Sequence, residues 1–514
     1  MTKKQLVTVW GLIIGVSILL NIRNFNNPLN GRHAWAQADH FAIALNFIDN
    51  NFDFFHPETY CLNPQFSADV DQDKNIGYWS TVPENPQGIT AVDFPINPYI
   101  VAGLMSVFET KEVLIYRLYT LIICMLGLFY LFKTSLFVTK SYNLSLFLIL
   151  FVLLSPTYSY YSFSTLPSPV SLSLLFIASF HFAKYLLEGS KSNFNYSLCF
   201  FTLASLIRFP FIIYLLSLVC LLGLSIILKK KKYWKQLIVT TLAIAIVLGY
   251  FFYNKFYLSK NFGSNFLSYP LPPKSISEFL AAIYYSFYHE SWRYFTLAHY
   301  AVLFYILKQV FKNRSKKITK NIELTSYLII ASIGVSIYAF LMTKQFVAHD
   351  YYLLDTFFPI LLFWMIGSHL YLKKDYSKQL QKATIVFGAV SIIFSIPVFI
   401  FGYNSRPKTL FDENRRNFVG SHHTLDRLKI SKKAKILLLD SHTPNLNFIG
   451  LQRKGFCVMT PSEKLISRAM NWNYDYIITP NESIETTIIP NYPNFKKETE
   501  VFYSNKGFTI HTKK

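Results

Sequence analysis

The chain has 514 residues, of which 52% are hydrophobic, 18% are aromatic and 15% are charged. Soluble domains average about 25% charged residues, so this composition excludes an ordinary soluble protein. The formal net charge of +22 would favour nucleic-acid binding in a soluble chain, but in a polytopic membrane protein it indicates basic cytoplasmic loops. We therefore expect membrane lipids, and no nucleic acid, among the partners of this chain.

Long apolar runs begin near the amino terminus and recur as far as residue 403. Runs of about 18 or more apolar residues can cross the roughly 30 Å hydrocarbon core. The first run has no small-residue cleavage site after it, so we expect a retained span rather than a signal peptide. Hydropathy predicts about eleven transmembrane helices. They cover residues 6–22, 112–132, 143–163, 168–187, 194–208, 210–229, 235–257, 294–311, 323–343, 351–371 and 382–403.

The charged residues predict the orientation of these helices. Basic clusters follow the even-numbered predicted helices, and the positive-inside rule places them in the cytoplasm. The stretch 23–95 lies on the other side and carries nine acidic against three basic residues. We therefore predict a multi-pass protein of a bacterial inner (plasma) membrane with an extracytoplasmic loop at 23–95. An odd number of helices then places the segment 404–514 outside as well.

The first external loop contains the run "AWAQADHFAIALNFI", whose apolar residues recur at helical spacing. This pattern predicts an amphipathic helix along the membrane interface. Asp39 lies within it, and its role has several interpretations. It is an acidic residue on a solvated face, or it caps a helix that begins at His40, or it is a functional carboxylate.

Further polar clusters fall on the same predicted face of the membrane. Ionisable groups at membrane depth are costly and usually functional, although each residue also has an ordinary interpretation. Arg117 can anchor a helix end, His289 and Glu290 can pair with Arg293, and two tyrosines can belong to an aromatic belt. The clusters are "VDFPINPY" with Asp93, "YYSFYHESWRYF" with His289, Glu290 and Arg293, and "AHDYYLLDTFFP" with His349, Asp350, Tyr351 and Tyr352.

The final segment, 404–514, is polar and contains short strand-like runs, "AKILLLD", "GFCVMT", "YDYIITP" and "KGFTIHT". Between the second and third runs, the stretch "PSEKLISRAMNWN" has helical spacing, and Ser462 is its helix-start signal. Strands alternating with helices predict a small extracytoplasmic α/β domain. Cys61 and Cys457 both fall in predicted external segments, where a disulfide between them is chemically allowed. We predict two domains, a transmembrane catalytic domain at 1–403 and this domain at 404–514.

The pattern over about 1–405 resembles the GT-C glycosyltransferases, in particular the bacterial members related to protein O-mannosyltransferases and to the lipid A aminoarabinose transferase. The resemblance consists of five short motifs in a shared order: "RHAWAQADHFAIA" with Asp39, "DFP" from Asp93, "YRL" from Tyr116, "LIRFP" with Arg208, and "HDYY" from His349. Related enzymes commonly have Glu where this chain has Asp93.

The resemblance implies an α-helical, GT-C-like integral membrane fold and an inverting glycosyltransferase. Such an enzyme moves one sugar from a polyprenyl-phosphate donor to a lipid, glycan or protein acceptor on the external face. It also implies that Asp39 is the catalytic base. The residues that it implies for substrate binding are Arg32, Asp93, Arg208, His349, Asp350 and Tyr352.

Some members of this family bind a divalent metal, so the resemblance implies a metal as one possibility. Asp39, Asp93 and His349 are the candidate ligands, although the sequence has no compact metal-binding motif. Two other functions are compatible with the sequence: a transporter or flippase for lipid-linked glycans, and a glycan polymerase or ligase. A transporter commonly has inverted repeats and a ligase has its large loop late in the chain, whereas here the large loop follows the first predicted helix.

Overall fold

A computed structural model describes the chain at residues 2–29, 31–63, 86–228, 233–262, 272–312, 322–371, 377–398, 416–441 and 443–514. Residues 64–85 of the predicted external loop therefore lie outside the described residues. So do parts of three predicted cytoplasmic basic clusters, at 229–232, 313–321 and 372–376.

Apolar helices dominate the described residues and confirm the predicted helical membrane fold. Six of them are long and apolar enough to cross a membrane: Lys3–Asn21, Val113–Thr139, Pro167–Glu188, Phe209–Ile227, Trp234–Phe262 and Ile322–Leu341. Shorter apolar helices or helical segments are Ile96–Val107, Tyr142–Leu153, Leu297–Lys308, Tyr352–Met365 and Gln381–Pro397. A further helix occupies Lys191–Ile207. The count of eleven transmembrane helices stays a prediction.

Two details of the predicted runs can be compared with the structure. The run at 143–163 is not one continuous helix, because Tyr142–Leu153 ends and a new helix, Pro156–Tyr161, begins after Ser155. The Ser155 side chain accepts a hydrogen bond from the Tyr158 N–H, which is a standard helix start. The predicted runs 194–208 and 210–229 are separate helices, since Arg208 has extended backbone and a short 3-10 helix follows at Phe209–Phe211.

The chain forms two compact units. The first consists of residues 1–26, 117–250 and 269–404, and the second of residues 27–116, 251–268 and 405–514. The C-terminal segment thus belongs to the same unit as most of the first predicted external loop. The bounds predicted for two domains, 1–403 and 404–514, stay a prediction.

The first unit is a helical bundle with the helix Pro167–Glu188 near its centre, where most of its residues are buried. A close approach to a neighbouring helix occurs at Gly127, since a Cβ there would lie 2.5 Å from the Ser173 Cβ. Small residues allow helices in membranes to pack at such short range. Elsewhere in this unit the Trp364 ring stacks on Phe147 at 5.1 Å and on Phe151 at 5.8 Å.

Shorter elements of the first unit precede the late helices. The helix Ile276–Tyr285, which the sequence patterns did not predict, begins after Ser275, whose side chain accepts a hydrogen bond from the Glu278 N–H. The other short helical elements are a π-helix at Ser286–Glu290, and helices at Ser291–Tyr294 and Thr343–Ala348. The longer helices after them are Leu297–Lys312, Ile322–Leu341, Tyr352–Tyr371 and Ser377–Pro397.

In the second unit a helix is present at Ala34–Asp49, where the sequence predicted one, and its location at the membrane interface stays a prediction. It packs against the helix Ile96–Val107, which was not predicted, through a buried cluster that includes Ile43, Phe47 and Ala102. Next to this cluster, Asn254 holds the backbone of Val92 by two hydrogen bonds of 2.8 and 3.2 Å. Asn254 lies in the π-helix Tyr253–Leu258, which continues into a short helix at Ser259–Phe262.

The C-terminal part of this unit is a five-stranded sheet, which confirms the predicted α/β character. The strands are β1 Ile436–Leu439, β2 Gly455–Val458, β3 Tyr476–Pro480, β4 Thr499–Ser504 and β5 Phe508–Lys513. Their order is β2-β1-β3-β5-β4, with β2, β1 and β3 parallel and β5 and β4 antiparallel. All four predicted strands are present, whereas β4 was missed.

Short helices surround this sheet. The helix predicted after Ser462 is present at Glu463–Ala469, and the Ser462 side chain accepts the Leu465 N–H as expected of a cap. A helix at Leu446–Leu451 lies between β1 and β2. The remaining helices are His422–Arg427, Asn481–Ser483, a π-helix at Ile484–Ile488, Ile489–Asn491 and Phe495–Glu498.

A segment of the first predicted external loop extends the sheet at its β2 edge. Gly455 donates its N–H to the Tyr60 carbonyl at 3.0 Å, and Leu62 donates to the Gly455 carbonyl at 2.7 Å. These bonds make a parallel bridge between Cys61 and Gly455. The side chain of Leu62 joins the hydrophobic core of the sheet. Residues 60–62 therefore cover backbone groups that an edge strand would otherwise expose.

This pairing brings two cysteines together. The Cys61 and Cys457 sulfurs are both buried thiols, 3.7 Å apart. Asn63 holds the second cysteine through its side chain, which accepts the Cys457 N–H at 2.8 Å and donates to the Cys457 carbonyl at 3.3 Å. The arrangement favours the disulfide that the sequence allowed.

We expect Cys61 and Cys457 to form a disulfide when a disulfide oxidant accepts their two electrons and two protons and is itself reduced to a dithiol. Burial beside Cys457 raises the pKa of the Cys61 thiol, so exchange should be faster above neutral pH. The bond should stabilise the unit by about 2–4 kcal/mol. A non-reduced digest analysed by mass spectrometry should contain the cross-linked peptide pair.

Cys199 and Cys220, which are exposed, serve as the internal control and should be alkylated in the same sample. Full alkylation of Cys61 and Cys457 after oxidation and unfolding would contradict the prediction.

Candidate functional site

The carboxylate of Asp39 is positioned by the helix Ala34–Asp49. His33 is the N-terminal cap residue of this helix, so Asp39 lies in its second turn and is not the cap of a helix beginning at His40. That alternative was wrong because the helix starts six residues earlier than it required. Asp39 is half-buried, which also distinguishes it from an acidic residue on a fully solvated face.

The Asp39 carboxylate has a partner from the far end of the chain. Asn445 donates its Nδ2–H to Asp39 Oδ1 at 2.8 Å, across 406 residues of sequence. An ionised carboxylate can only accept hydrogen bonds, and the Asn445 amide can donate one without carrying a charge. The contact therefore holds the Asp39 carboxylate through a neutral group.

Two other predicted site residues belong to the same unit. The backbone carbonyl of Arg32 accepts a hydrogen bond from Gln37 Nε2 at 3.0 Å, which ties the start of the helix to the segment before it. Asp93 is half-buried and precedes the helix Ile96–Val107, directly after the Val92 backbone that Asn254 holds. Hydrogen bonds thus hold the backbone near both residues. Arg32 lies just before the helix Ala34–Asp49, and Asp93 lies just before the helix Ile96–Val107.

In the first unit, Arg208 forms a buried ion pair with Asp355. The guanidinium lies 3.1 Å from Asp355 Oδ2 through Nη2 and 3.2 Å through Nε. Asp355 has no exposed surface. Its Oδ2 also accepts from the Tyr338 hydroxyl at 3.4 Å, and its backbone carbonyl accepts from the Tyr214 hydroxyl at 2.9 Å. The carboxylate therefore fixes the direction in which the Arg208 guanidinium extends.

Tyrosine rings surround this ion pair. The Arg208 guanidinium lies 5.0 Å from the Tyr352 ring centroid and 5.9 Å from the Tyr351 centroid, which is cation–π range. The His349 ring lies 5.4 Å from the Tyr351 ring and 5.8 Å from the Tyr352 ring. Arg208, His349 and Tyr352, which the sequence motifs singled out, are therefore in one cluster.

Asp350 joins the same cluster through another tyrosine. The Tyr161 hydroxyl donates to Asp350 Oδ1 at 2.5 Å, and the Tyr161 ring packs edge-on against Tyr351 at 5.9 Å. Asp350 is fully buried. This cluster of the first unit thus combines the Arg208 guanidinium and the buried carboxylates of Asp355 and Asp350 with tyrosine rings.

The ordinary interpretations of two other residues agree with their contacts. Arg293 pairs with Glu290 at 2.7 Å, as the sequence allowed. Arg117 is buried and donates to the Asn24 carbonyl at 3.0 Å, with its guanidinium 5.8 Å from the Phe163 ring. These contacts explain both arginines as structural residues of the first unit.

Within the described residues, no group of three or more His, Cys, Asp or Glu side chains is arranged to hold a metal ion. A cation site for a divalent metal generally needs several such ligands. Metal dependence stays a prediction from the family resemblance.

Two polar residues of these clusters were missed from the sequence. Asp355 interrupts the predicted apolar run 351–371, and an ionisable residue within such a run is itself a signal of a partner or a function. Asn445 gave no comparable signal. Asparagine at the start of a helix is an ordinary cap, but the Asn445 side chain makes no capping bond and instead contacts Asp39.

Neither a protein-family model nor a curated protein matches the chain. Its fold, however, is similar to that of solved structures. The crystal structure of ArnT from Cupriavidus metallidurans bound to undecaprenyl phosphate has a TM-score of 0.59 and 8% identity, over 99% of this chain and 98% of that chain. The apo form of the same protein has a TM-score of 0.56 and 10% identity, over 97% of both chains.

The apo oligosaccharyltransferase of Archaeoglobus fulgidus is also similar, with a TM-score of 0.51 and 11% identity over 99% of this chain and 74% of that chain. The chain therefore has the GT-C fold that the sequence motifs implied. At these identities the similarity establishes the fold, and the chemistry must be argued from the residues.

Proposed function

We propose that the protein is an inverting membrane glycosyltransferase. It moves one sugar from a polyprenyl-phosphate donor to a hydroxyl of a lipid, glycan or protein acceptor on the extracytoplasmic face of the inner membrane. The observation that carries the proposal is the half-buried Asp39 carboxylate, which is presented by a helix and held by a neutral amide. The GT-C fold supports the same class of reaction.

In the proposed reaction, the acceptor oxygen attacks the anomeric carbon of the donor sugar. The new carbon–oxygen bond forms as the bond from the anomeric carbon to the phosphate oxygen breaks. Asp39 accepts the proton of the attacking hydroxyl, and polyprenyl phosphate leaves with the electron pair. General-base assistance of this kind is typically worth about 10²–10⁴-fold in rate.

The departing phosphate needs positive charge and hydrogen-bond donors. Arg208 is suited to this role because a guanidinium has five N–H groups and binds phosphate oxygens in a planar, bidentate manner. Asp355 orients it from the buried side, and we propose that His349 and Tyr352 donate to the same phosphate. Arg32, Asp93 and Asp350 stay predicted substrate-binding residues.

The identity of the carrier is supported by the similarity to ArnT, whose crystal structure contains undecaprenyl phosphate. A donor with a lipid tail also agrees with a chain rich in membrane-spanning helices, since the tail remains in the bilayer while the head group reacts. The small number of basic residues at 23–95, three in all, supports an external location for Asp39 by the positive-inside rule.

The proposal can be tested with purified protein in proteoliposomes. The donor is the lipid-linked sugar fraction extracted from cells that lack the protein, and the acceptor is an envelope extract from the same cells. We expect the protein to convert the lipid-linked sugar to polyprenyl phosphate and to place the sugar on an acceptor, both detectable by mass spectrometry. Movement of intact lipid-linked sugar across the bilayer without cleavage would instead indicate a flippase.

A further inference from the structure

We propose that Asn445 is the positioning residue of the catalytic base, so that the C-terminal sheet domain is part of the active site. This inference rests on the proposed role of Asp39. The segment that follows the predicted transmembrane domain then takes a direct part in catalysis. Asn445 Nδ2 sets the direction of the Asp39 carboxylate, which receives the proton of the acceptor hydroxyl.

Both ends of the Asn445 amide are engaged. Nδ2 donates to Asp39 Oδ1 at 2.8 Å, and Oδ1 accepts the Cys61 backbone N–H at 3.0 Å. An ionised carboxylate only accepts hydrogen bonds and a backbone N–H only donates. The orientation of the amide is therefore fixed by chemistry, since rotating it by 180° would lose both bonds. Asn445 has no exposed surface, so water cannot easily replace either partner.

The backbone that carries this amide is itself held from two directions. Asn445 directly precedes the helix Leu446–Leu451, which packs against the helix Ala34–Asp49 that carries Asp39. Its other partner, Cys61, belongs to the segment paired with Gly455 at the edge of the sheet. The Asn445 side chain thus connects Asp39 to two elements: the helix Leu446–Leu451 and the Cys61 segment, which pairs with the edge of the sheet.

A residue with this geometry acts on the rate and not on donor binding. The hydrogen bond restricts Asp39 to orientations in which its carboxylate can face the attacking hydroxyl, and positioned proton acceptors lose efficiency when they rotate away. Removing a hydrogen bond to a charged group typically costs about 10- to 100-fold in an equilibrium or rate constant. We therefore expect Asn445→Ala to lower kcat by about 10- to 100-fold.

The matched control is Asn447→Ala. Asn447 is a buried asparagine in the first turn of the helix Leu446–Leu451, two residues after Asn445, and its side chain donates to the Ser441 carbonyl at 3.2 Å. Both substitutions remove one buried amide from one element. A purely structural contribution would therefore affect the two variants alike.

The experiment uses the full-length protein in proteoliposomes with the lipid-linked sugar extracted from cells that lack it. Asn445→Ala should lower kcat with the KM for this lipid unchanged within about twofold, whereas Asn447→Ala should retain the wild-type kcat. In an Asp39→Asn background, Asn445→Ala should add no further loss to the residual transfer, because the two residues act as a unit. Asn445→Asp should be at least as defective as Asn445→Ala, since it places a like charge beside Asp39.

Each failure has its own signature. Wild-type transfer by Asp39→Asn would reject the proposed function of Asp39, whatever the Asn445 variants do. Inactive Asp39→Asn together with an unchanged kcat in Asn445→Ala would reject the positioning role alone. Equal loss in Asn445→Ala and Asn447→Ala, accompanied by a lower unfolding temperature in both, would assign Asn445 to structure.

Discussion

Asp39→Asn is expected to lower sugar transfer by about 10²–10⁴-fold, the range usual for loss of a general base, while the protein still inserts into membranes. The substitution keeps the size of the side chain and replaces a proton acceptor by an amide. Asn445 should still contact the new residue, because an amide oxygen at the Oδ1 position can accept the same hydrogen bond. The measurement is initial rate of transfer from the lipid-linked sugar in membranes matched for protein content.

Asp49→Asn provides the control on the same helix. Asp49 is the last residue of the helix and pairs with Lys111 at 3.1 Å on the surface. An exposed pair contributes about 0–1 kcal/mol, so this variant should transfer sugar at the wild-type rate. Undiminished transfer by Asp39→Asn would remove the base from the mechanism, and equal loss in both variants would point to a general effect of charge on this helix.

Arg208→Ala is expected to have the largest effect on stability. It removes the cation that pairs with Asp355, whose carboxylate has no exposed surface. Leaving one partner of a buried pair without the other typically costs about 3–5 kcal/mol, so the unfolding temperature should fall markedly. A simple loss of activity in this variant would therefore say little about donor binding.

The double variant Arg208→Met with Asp355→Leu separates the two roles of the arginine. Replacing a buried ion pair by apolar residues of similar volume is often neutral or stabilising, so the unfolding temperature should recover. If Arg208 binds the donor phosphate, the KM for the lipid-linked sugar should remain at least about tenfold above wild type, as expected for loss of a charge-assisted contact. A wild-type KM in the double variant would leave Arg208 with a structural role only.

Lys184→Ala is the control for charge removal in the same unit. Lys184 and Glu188 form a partly exposed pair at 3.6 Å, one turn apart on one helix. Such pairs are worth about 0.3–0.5 kcal/mol. The unfolding temperature of this variant should therefore differ little from wild type, which shows that the effect of Arg208→Ala comes from the buried position.

The helical part of the fold was accessible from the sequence because apolar runs are long and their signal is strong. The helix Ala34–Asp49 was also predictable, since the spacing of Phe41, Ala44 and Leu45 repeats with the helical period. The helix Ile96–Val107 was missed because twelve residues are too few for a span. Strand β4 was missed because its middle residues are exposed, so it lacks the buried apolar run that marked the other strands.

Only those residues of the candidate site that lie in short sequence motifs could be predicted. The motifs placed Asp39, Arg208, His349 and Tyr352, and the last three lie in one cluster of the first unit. They did not identify Asp355 as the partner of Arg208, although its position inside an apolar run was a signal. The Asp39–Asn445 contact spans 406 residues, and no local pattern in a single sequence predicts which residues meet across such a distance.

The most direct test of the proposed transfer is the pool of lipid-linked sugars in cells with and without the protein, measured by mass spectrometry of the extracted lipids. We expect one polyprenyl-phosphate sugar to accumulate when the protein is absent, and to return to its normal level when the wild-type chain is restored. An unchanged pool in the two kinds of cell would contradict a lipid-linked sugar transferase.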